Sequence, residues 1–298
     1  MKPLRLDGRV AVVTGAGQGL GRSHALALAQ RGAQVLVNDV EADAAAAVAA
    51  DIRRAGGRAV AQVGSVLEGV RIVEAALAEL GRIDIVVNNA GILRDAAFHK
   101  MTDAQWRSVL DVHLSGAFTV TRAAWPHLRE QGWGRVIMTT SIAGLYGNFG
   151  QANYAAAKMG LLGLAQTLAV EGAERDIRVN TIAPLASSRL TQGVMPTALF
   201  DALSPDQVTP LVVLLASAAC PVTGALFEAA GGRFARLRWE RSKVVSISPT
   251  DEAAPESLLR DWQTLQLYDG NDHPVHLEDG LDLPNRAMDV AGEGEHHG

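Results

Sequence analysis

The sequence reads Val10-Ala11-Val12-Val13-Thr14-Gly15-Ala16-Gly17-Gln18-Gly19-Leu20-Gly21 near the start of its 298 residues, so an apolar run leads directly into a glycine-rich turn. The apolar run predicts a buried strand, and Arg22–Gln30 predicts a helix. A second strand over Gln34–Val37 ends at Asn38-Asp39. Strand, glycine turn, helix, strand and acid in this order predict a mononucleotide-binding unit, whose turn and helix N-terminus hold a pyrophosphate.

Strand and helix patterns continue to alternate along the chain. Further strands are predicted over 58–63, 83–87, 134–140, 178–182 and 222–228, and further helices over 41–55, 68–80, 102–128 and 154–171. Such alternation favours parallel strands with right-handed crossovers. We therefore expect an α/β fold, a doubly wound parallel (Rossmann) sheet in three α/β/α layers. Pro126 is expected to disrupt its helix, and Pro184 to break the sixth strand.

The residues around the first two strands predict the cofactor. The glycines follow the spacing Gly-x-x-x-Gly-x-Gly, which also occurs in ordinary strand-to-helix turns. Asp39 ends the second strand, where a carboxylate accepts hydrogen bonds from ribose hydroxyls and repels a 2′-phosphate. No Arg or Lys lies within Gly15–Gly21 to offset that repulsion. NAD is favoured over NADP, the alternative being a solvated Asp39.

A second pattern, Tyr154-Ala155-Ala156-Ala157-Lys158, predicts the chemistry. Residues four apart on a helix share a face, so a phenol and an ammonium lie side by side. A nearby cation favours the phenolate, which predicts a lowered Tyr154 pKa and a role as general acid or base. Ser141 follows a predicted strand and can bring a hydroxyl to the phenol. His113 lies within a predicted helix, where a packed or surface histidine is the more frequent explanation.

Composition excludes several classes of function. The net charge is −5, and residues 269–298 carry eight acidic side chains against one arginine. The rest of the chain is close to neutral and offers no case for nucleic acid. No apolar run is long enough to span a membrane. Cys220 is the one cysteine, so neither an intramolecular disulfide nor a cysteine-rich metal site is predicted.

Domain organisation follows from the same patterns. Residues 1–232 form the predicted nucleotide-binding domain, with an irregular segment at about 187–210 as a substrate lid. Residues 233–298 form a C-terminal extension that ends in an acidic, disordered tail. The helix over 154–171 is apolar almost all round, so we expect its outer face to meet another subunit.

Together, the glycine turn from Thr14, Asn88-Asn89-Ala90-Gly91, Ser141 and Tyr154-x-x-x-Lys158 resemble the short-chain dehydrogenase/reductase family over about residues 5–230. The resemblance implies that Tyr154 is the acid/base, Ser141 orients the substrate oxygen, and Lys158 binds the nicotinamide ribose and lowers the tyrosine pKa. It implies a catalytic set of Ser141, Tyr154, Lys158 and His113. The implied cofactor-binding residues are Gly15, Gln18, Gly19, Leu20, Gly21, Asp39, Ser65, Val66, Asn89, Ala90, Gly91, Tyr154, Lys158 and Pro184.

Further segments resemble a narrower group in this family, the (3R)-hydroxyacyl-CoA dehydrogenases with a C-terminal extension. They are Ile92-Leu93-Arg94-Asp95, Tyr146–Tyr154, Val194-Met195-Pro196 and Leu237–Arg241. The family usually has Asn at His113, where it helps to hold a water in a proton relay, and the narrower group has His. Ser65 stands where an acid often contacts the adenine, and Leu185 stands where Gly is usual.

The single cysteine and an N-terminus unlike a signal peptide predict a cytoplasmic location. The resemblance implies an NAD-dependent oxidoreductase that interconverts a secondary alcohol and a ketone, with a (3R)-3-hydroxyacyl-CoA as first choice of substrate. The basic residues over 233–243 are candidates to bind the CoA phosphates. A homodimer or homotetramer is expected. The alternatives are a hydroxysteroid or other secondary-alcohol dehydrogenase, and a catalytically silent dinucleotide-binding protein. A sugar-nucleotide epimerase is disfavoured because its glycine turn has a different spacing.

Overall fold

The computed structural model describes residues 3–187, 202–248, 250–275 and 279. The chain divides into two compact units, Met1–Arg236 and Leu237–Gly298. The predicted lid lies mostly outside the described residues, and the acidic tail lies almost wholly outside them. Ser187 donates hydrogen bonds through its backbone N–H (2.6 Å) and its Oγ (2.8 Å) to the Leu203 carbonyl, so these two described residues of the predicted lid are adjacent.

The first unit is built on an eight-stranded sheet in the order β3-β2-β1-β4-β5-β6-β7-β8. The strands are β1 Val10–Thr14, β2 Gln34–Asp39, β3 Ala59–Val63, β4 Ile85–Asn88, β5 Gly134–Thr139, β6 Ile177–Leu185, β7 Leu226–Ala230 and β8 Arg233–Leu237. Six neighbouring pairs from β3 to β7 are parallel. Only two residues join β7 to β8, a connection that fits antiparallel neighbours. The predicted doubly wound sheet is confirmed.

Helices cover both faces of the sheet. They are α1 Gly19–Gln30, α2 Ala42–Arg54, α3 Gly69–Leu80, α4 Asp103–Leu110, α5 Gly116–Gln131, α6 Ile142–Tyr146, α7 Ala152–Gly172, α8 Thr209–Ala216 and α9 Ala254–Arg260. Alternate residues of β1 enter different cores. Ala11 and Val13 pack with α1, α2 and α8, whereas Val10 and Val12 pack with α3, α5 and α7. The three predicted layers follow from this alternation.

Two strand predictions are wrong. β6 continues through Pro184 to Leu185. Its pairing with β5 ends at Ile182 while its pairing with β7 continues, so Pro184, which lacks an N–H, lies where one side of β6 has no neighbouring strand. β7 begins at Leu226 rather than Val222. The preceding residues form a turn at Gly224 (φ +69°), and the Asn180 side chain bonds the Val222 carbonyl and the Ala225 N–H.

The expected disruption at Pro126 is also wrong. Pro126 lies inside α5, whose Val120, Ala124 and Leu128 are buried in the core. This packing holds the helix together across the proline. The irregularity occurs earlier, where a π-helical turn over Asp111–Ser115 separates α4 from α5. The predicted N-terminus at Thr102 is confirmed, because Thr102 and Gln105 form a capping box.

The second unit contains α9 and several polar contacts of its own. Arg241 pairs with Asp272 (3.5 Å) and donates to the Asp279 carbonyl (2.7 Å). The Gly270 N–H donates to Glu240 at 2.9 Å. Among the residues that the structure describes, no helix is both long and apolar enough to cross a bilayer.

Candidate active site

The glycine turn lies between the end of β1 and the first turn of α1. Gly15 (φ +60°) and Gly19 (φ +53°) have left-handed backbones that glycine adopts readily. A Cβ on Gly21 would lie 2.1 Å from the Gly15 carbonyl oxygen, and a Cβ on Gly15 would lie 2.7 Å from Ala90 Cα. Glycine is therefore needed for packing as well as for conformation. Gln18 is the exposed N-cap of α1, and Leu20 lies in its first turn.

The loop after β4 supports this turn. The Asn89 side chain donates to the carbonyls of Thr14 and Gly15, both at 3.1 Å. Thr14 Oγ1 accepts from the N–H groups of Asn89 (3.0 Å) and Ala90 (3.1 Å). Asn89 and Ala90 thus hold the glycine turn in place. The resemblance implied that Asn89 and Ala90 bind the cofactor, and the structure shows their contacts with the glycine turn.

Asp39, at the end of β2, is held beside the same turn. Its Oδ2 accepts from the Gly17 N–H at 2.8 Å, and its Oδ1 accepts from the Glu41 N–H at 3.1 Å. A Cβ on Gly17 would lie 2.8 Å from Asp39 Oδ2, so the carboxylate is pressed against backbone. Ser65 accepts from the Leu67 N–H at 3.2 Å, and Val66 beside it is buried. These residues form one edge that fits the adenosine half of a dinucleotide.

Three elements bring Ser141, Tyr154 and Lys158 together. Ser141 follows β5 and caps α6, Tyr154 lies in the first turn of α7, and Lys158 lies one turn later. The Ser141 hydroxyl lies near the Tyr154 phenol and lowers the pKa of that phenol. Lys158 Nζ lies 5.5 Å from the centre of the Tyr154 ring and donates to the Thr139 carbonyl at 2.6 Å. The hydroxyl, the phenol and the ammonium therefore share one corner.

The predicted lowering of the Tyr154 pKa is wrong for the protein alone. Burial raises the pKa of this phenol, the hydrogen bond with Ser141 lowers it, and the Asp95 charge raises it further. Burial also lowers the pKa of Lys158 from 10.5 to about 7. The spacing in sequence put a cation on the correct face of the helix. It did not reveal that both groups lose water when the helix packs.

His113 lies on the π-helical turn and faces this corner. Its ring lies edge-on to Tyr154, with centroids 5.1 Å apart. Its Nε2 lies 3.0 Å from the nitrogen and 2.8 Å from the oxygen of Ile92. Burial and the Lys158 charge lower the pKa of His113 to about 3, although the bond to Ile92 raises it. Gly91 is required beside it, because a Cβ there would lie 2.3 Å from the imidazole.

A small polar cavity of about 10 Å³ lies behind the same residues. Asn88, His113 and Lys158 are among the residues that line it. In the described part of the chain, His113 Nδ1 and Asn88 Oδ1 are buried without a hydrogen-bond partner. A polar cavity of this size has room for one water molecule.

The sequence analysis did not identify some residues that support the site. Asp95 and Gln151 are hydrogen-bonded at 2.8 Å, and Asn153 Nδ2 donates to the Arg94 carbonyl at 3.1 Å. These contacts join a loop after β4 to the start of α7. Their one signal in the sequence was that Arg94-Asp95 and Gln151–Asn153 lie in segments that resemble the narrower group.

The fold and this arrangement of residues define an oxidoreductase of the Rossmann type. The chain belongs to the short-chain dehydrogenase family, whose model matches residues 9–197. The glycine turn has backbone N–H groups at the start of α1 and no room for added side chains, and it fits the pyrophosphate of a nicotinamide dinucleotide.

Two similar proteins are much longer than this chain. The chain is 48% identical to mouse peroxisomal multifunctional enzyme type 2 over 93% of this chain and 39% of that enzyme. The full-length Drosophila melanogaster enzyme of that name has a solved structure, with a TM-score of 0.82 and 41% identity over 97% of this chain and 50% of that one. The chain thus spans about two fifths of the mouse enzyme and half of the Drosophila chain.

Two other proteins match over most of their own length. The hydroxyacyl-CoA dehydrogenase ChsB1 of Mycobacterium tuberculosis is 42% identical, over 74% of this chain and 77% of that protein. A 7α-hydroxysteroid dehydrogenase solved with NADH and a 7-oxo bile acid has a TM-score of 0.72. It is 32% identical, over 78% of this chain and 98% of that one.

Proposed function

We propose that this protein uses NAD to interconvert a (3R)-3-hydroxyacyl-CoA and the corresponding 3-oxoacyl-CoA. The observation that carries the proposal is that Ser141 and Lys158 lie around the Tyr154 phenol, with Lys158 Nζ 5.5 Å from the phenol ring and held by the Thr139 carbonyl. The sequence similarity to multifunctional enzyme type 2 and to a hydroxyacyl-CoA dehydrogenase supports a CoA thioester as the substrate.

Tyr154 acts as the acid/base of the reaction. The bound nicotinamide supplies the hydride acceptor. The phenolate form of Tyr154 takes the proton of the substrate hydroxyl, and Ser141 donates a hydrogen bond to the substrate oxygen as its charge develops. Burial raises the pKa of Tyr154, so the phenol needs a cation close by when it ionises. Lys158 is the cation at hand, held by the Thr139 carbonyl.

His113 takes part as a positioning residue rather than as a proton donor. Its pKa of about 3 keeps the imidazole neutral near pH 7. Its Nδ1 and Asn88 Oδ1 hold one water in the small cavity beside Lys158, and both atoms then gain a partner. That water gives the buried lysine a route for exchanging its proton.

The cofactor is NAD rather than NADP. Asp39 is fixed by the Gly17 N–H, so its carboxylate stays where the adenosine ribose lies in this type of fold. A 2′-phosphate there would meet a negative charge. The Gly15–Gly21 turn carries no basic residue to offset it.

The basic residues over 233–243 bear on the CoA moiety of the proposed substrate. Of the basic residues predicted to bind its phosphates, Arg241 is already engaged by Asp272 and the Asp279 carbonyl. Arg233 and Arg236 are exposed on β8. The similarity to a hydroxysteroid dehydrogenase supports a hydroxysteroid as the second candidate substrate. The cytoplasmic location remains a prediction, and the mouse relative is named as peroxisomal.

A substrate screen tests the proposal. Formation of NADH or NADPH is measured with R and S 3-hydroxyacyl-CoA esters of graded length, a hydroxysteroid and simple secondary alcohols. We expect R thioesters with NAD to give the highest kcat/KM. A kcat/KM for hydroxysteroids or simple alcohols equal to that for the R thioesters would exclude a thioester as the specific substrate.

The variant Tyr154→Phe tests the role of the phenol. Loss of acid/base catalysis should lower kcat by about 10²–10⁴-fold. NADH binding, followed by fluorescence titration, should stay within about threefold, because the glycine turn and Asp39 are untouched. Tyr268→Phe, at an exposed tyrosine of the second unit, is the matched control. Near-normal turnover by Tyr154→Phe would contradict the mechanism.

A further inference from the structure

The loop after β4 is bonded to the start of α7 at three points. Ala96 N–H donates to the Gly150 carbonyl (2.9 Å), Gln151 Nε2 donates to Asp95 Oδ2 (2.8 Å), and Asn153 Nδ2 donates to the Arg94 carbonyl (3.1 Å). Gln151 is the N-cap of α7, and Tyr154 is the third residue of that helix. The contacts therefore hold Asp95 against the turn that carries the phenol.

Asp95 is exposed at this position. No ion pair to a cation is formed by Asp95 within the described ranges, and the neighbouring Arg94 donates to the Leu93 carbonyl instead. Its partner Gln151 is buried and is itself positioned by Asn148 at 3.0 Å. The carboxylate is thus fixed beside the start of α7, where its charge also raises the pKa of the Tyr154 phenol.

We propose that Asp95 is a specificity-determining residue that excludes free 3-hydroxy acids and so restricts the site to uncharged acyl derivatives such as thioesters. This inference rests on the proposed function. A free 3-hydroxy acid carries its carboxylate two carbons from the reacting carbon. When the hydroxyl of the free acid is bound to Ser141 and Tyr154, its carboxylate comes close enough to the Asp95 carboxylate to be repelled by it.

The size of the effect follows from Coulomb repulsion. A thioester has no charge at that carbon and meets no repulsion. Two like charges a few ångströms apart at a partly hydrated site repel enough to change kcat/KM by about tenfold or more. Because Asp95 is exposed, salt screens the repulsion, with a screening length of about 8 Å at physiological ionic strength. Discrimination against the free acid should therefore weaken as salt is added.

The test compares substrates that share a carbon skeleton and differ in charge. Values of kcat/KM are measured for (3R)-hydroxybutyrate, its uncharged N-acetylcysteamine thioester and 4-hydroxy-2-pentanone. The variant is Asp95→Asn, whose amide oxygen can still accept from Gln151. The matched control is Glu174→Gln, an exposed acid after α7 at the opposite edge of the sheet. Circular dichroism checks the fold of each variant.

We expect Asp95→Asn to raise the ratio of kcat/KM for the free acid to kcat/KM for the thioester about tenfold, and to remove most of the salt dependence of this ratio. The ratio for Glu174→Gln should equal that of the wild type. A ratio within twofold of wild type would overturn the role of Asp95 while leaving the proposed function intact. If this ratio rises in Asp95→Ala but not in Asp95→Asn, the effect is due to the lost hydrogen bond with Gln151. That result would also overturn the proposed role of the Asp95 charge. If the wild type oxidises no thioester, the proposed substrate class is wrong, and the ratio of free acid to hydroxy ketone decides the role of Asp95.

Discussion

Burial moves the pKa values of Tyr154 and Lys158 apart. The lysine pKa falls to about 7 and the tyrosine pKa rises, so near neutral pH the isolated protein holds a neutral phenol beside a partly neutral amine. Protonation of Lys158 favours the Tyr154 phenolate, and ionisation of Tyr154 favours the Lys158 ammonium. The pair is thus arranged to exchange charge during a reaction.

The buried Lys158 predicts a measurable change of stability with pH. Its pKa is about 7 in the folded protein and 10.5 for an ordinary lysine, so between these values the unfolded chain binds more protons. The free energy of unfolding therefore rises as pH increases from about 7 to 10.5, by on the order of 4 kcal/mol. Lys158→Met should lose this rise, measured by urea unfolding at several pH values. Lys100→Met, at an exposed lysine, should keep it, and equal slopes in the two variants would refute the assignment.

The sequence could predict the parts of the site that depend on neighbours along the chain. The glycine turn, Asp39 and the Tyr154–Lys158 spacing all belong to this kind. It could not predict the Asp95–Gln151 bond, which joins residues 56 apart, because no periodic pattern encodes such a contact. It could not predict the direction of the tyrosine pKa shift either, because burial is set by packing rather than by spacing.

At the scale of elements, α1 is bonded to the segment that begins α8. Thr209 Oγ1 lies 2.8 Å from His24 Nδ1 and 2.7 Å from Ser23 Oγ, and Ser23 donates to Asp206. Ser23 and His24 belong to the helix whose first turn contains Gly19 and Gly21, and Asp206 and Thr209 lie in the last part of the predicted lid. The polar cluster thus joins the cofactor side of the fold to the end of the lid.

This cluster predicts acid sensitivity. Burial lowers the pKa of His24 to about 3, although the nearby Asp206 raises it. An ordinary histidine has a pKa of 6.5, so the folded protein holds a neutral imidazole at pH values where the unfolded chain would be protonated. Stability from this group is present above pH 6.5 and is lost as pH falls towards 3. His24→Asn should make acid unfolding less steep, with a difference on the order of 4 kcal/mol across that range. Urea unfolding between pH 7 and 4 measures it. His99→Asn, at an exposed histidine, should match wild type, and a similar change in both would exclude His24 as the cause.

Element boundaries show where the sequence was insufficient. Pro126 and Pro184 were expected to end regular structure, and neither does, since α5 is held by core packing and β6 by β7. The π-helical turn over Asp111–Ser115 had no signal in the sequence, and it is the turn that brings His113 to Tyr154. Local propensity is a weak guide where tertiary contacts decide.

At the scale of the whole molecule, the doubly wound sheet and its layers could be predicted because strand and helix patterns alternate along the chain. The outer face of α7 is a different case. Val170 is 72% exposed, and a Cβ on Gly163 would meet nothing within 4 Å. Phe118 on the neighbouring α5 is 44% exposed. An exposed face with this composition is typical of a contact between subunits.

We predict that two copies of the chain pair through this face of α7, as a two-fold homodimer or within a tetramer. Gly163→Glu adds a charge where the monomer has free space, so it should leave the fold intact and shift the protein to monomer. Gly163→Ala replaces a helical glycine, should stabilise the helix by up to about 1 kcal/mol, and should leave the oligomer in place. Sedimentation velocity gives the mass, and Ala47→Glu, on the exposed side of α2, is the charge control. An oligomer that survives Gly163→Glu with unchanged affinity would show that the subunits meet elsewhere.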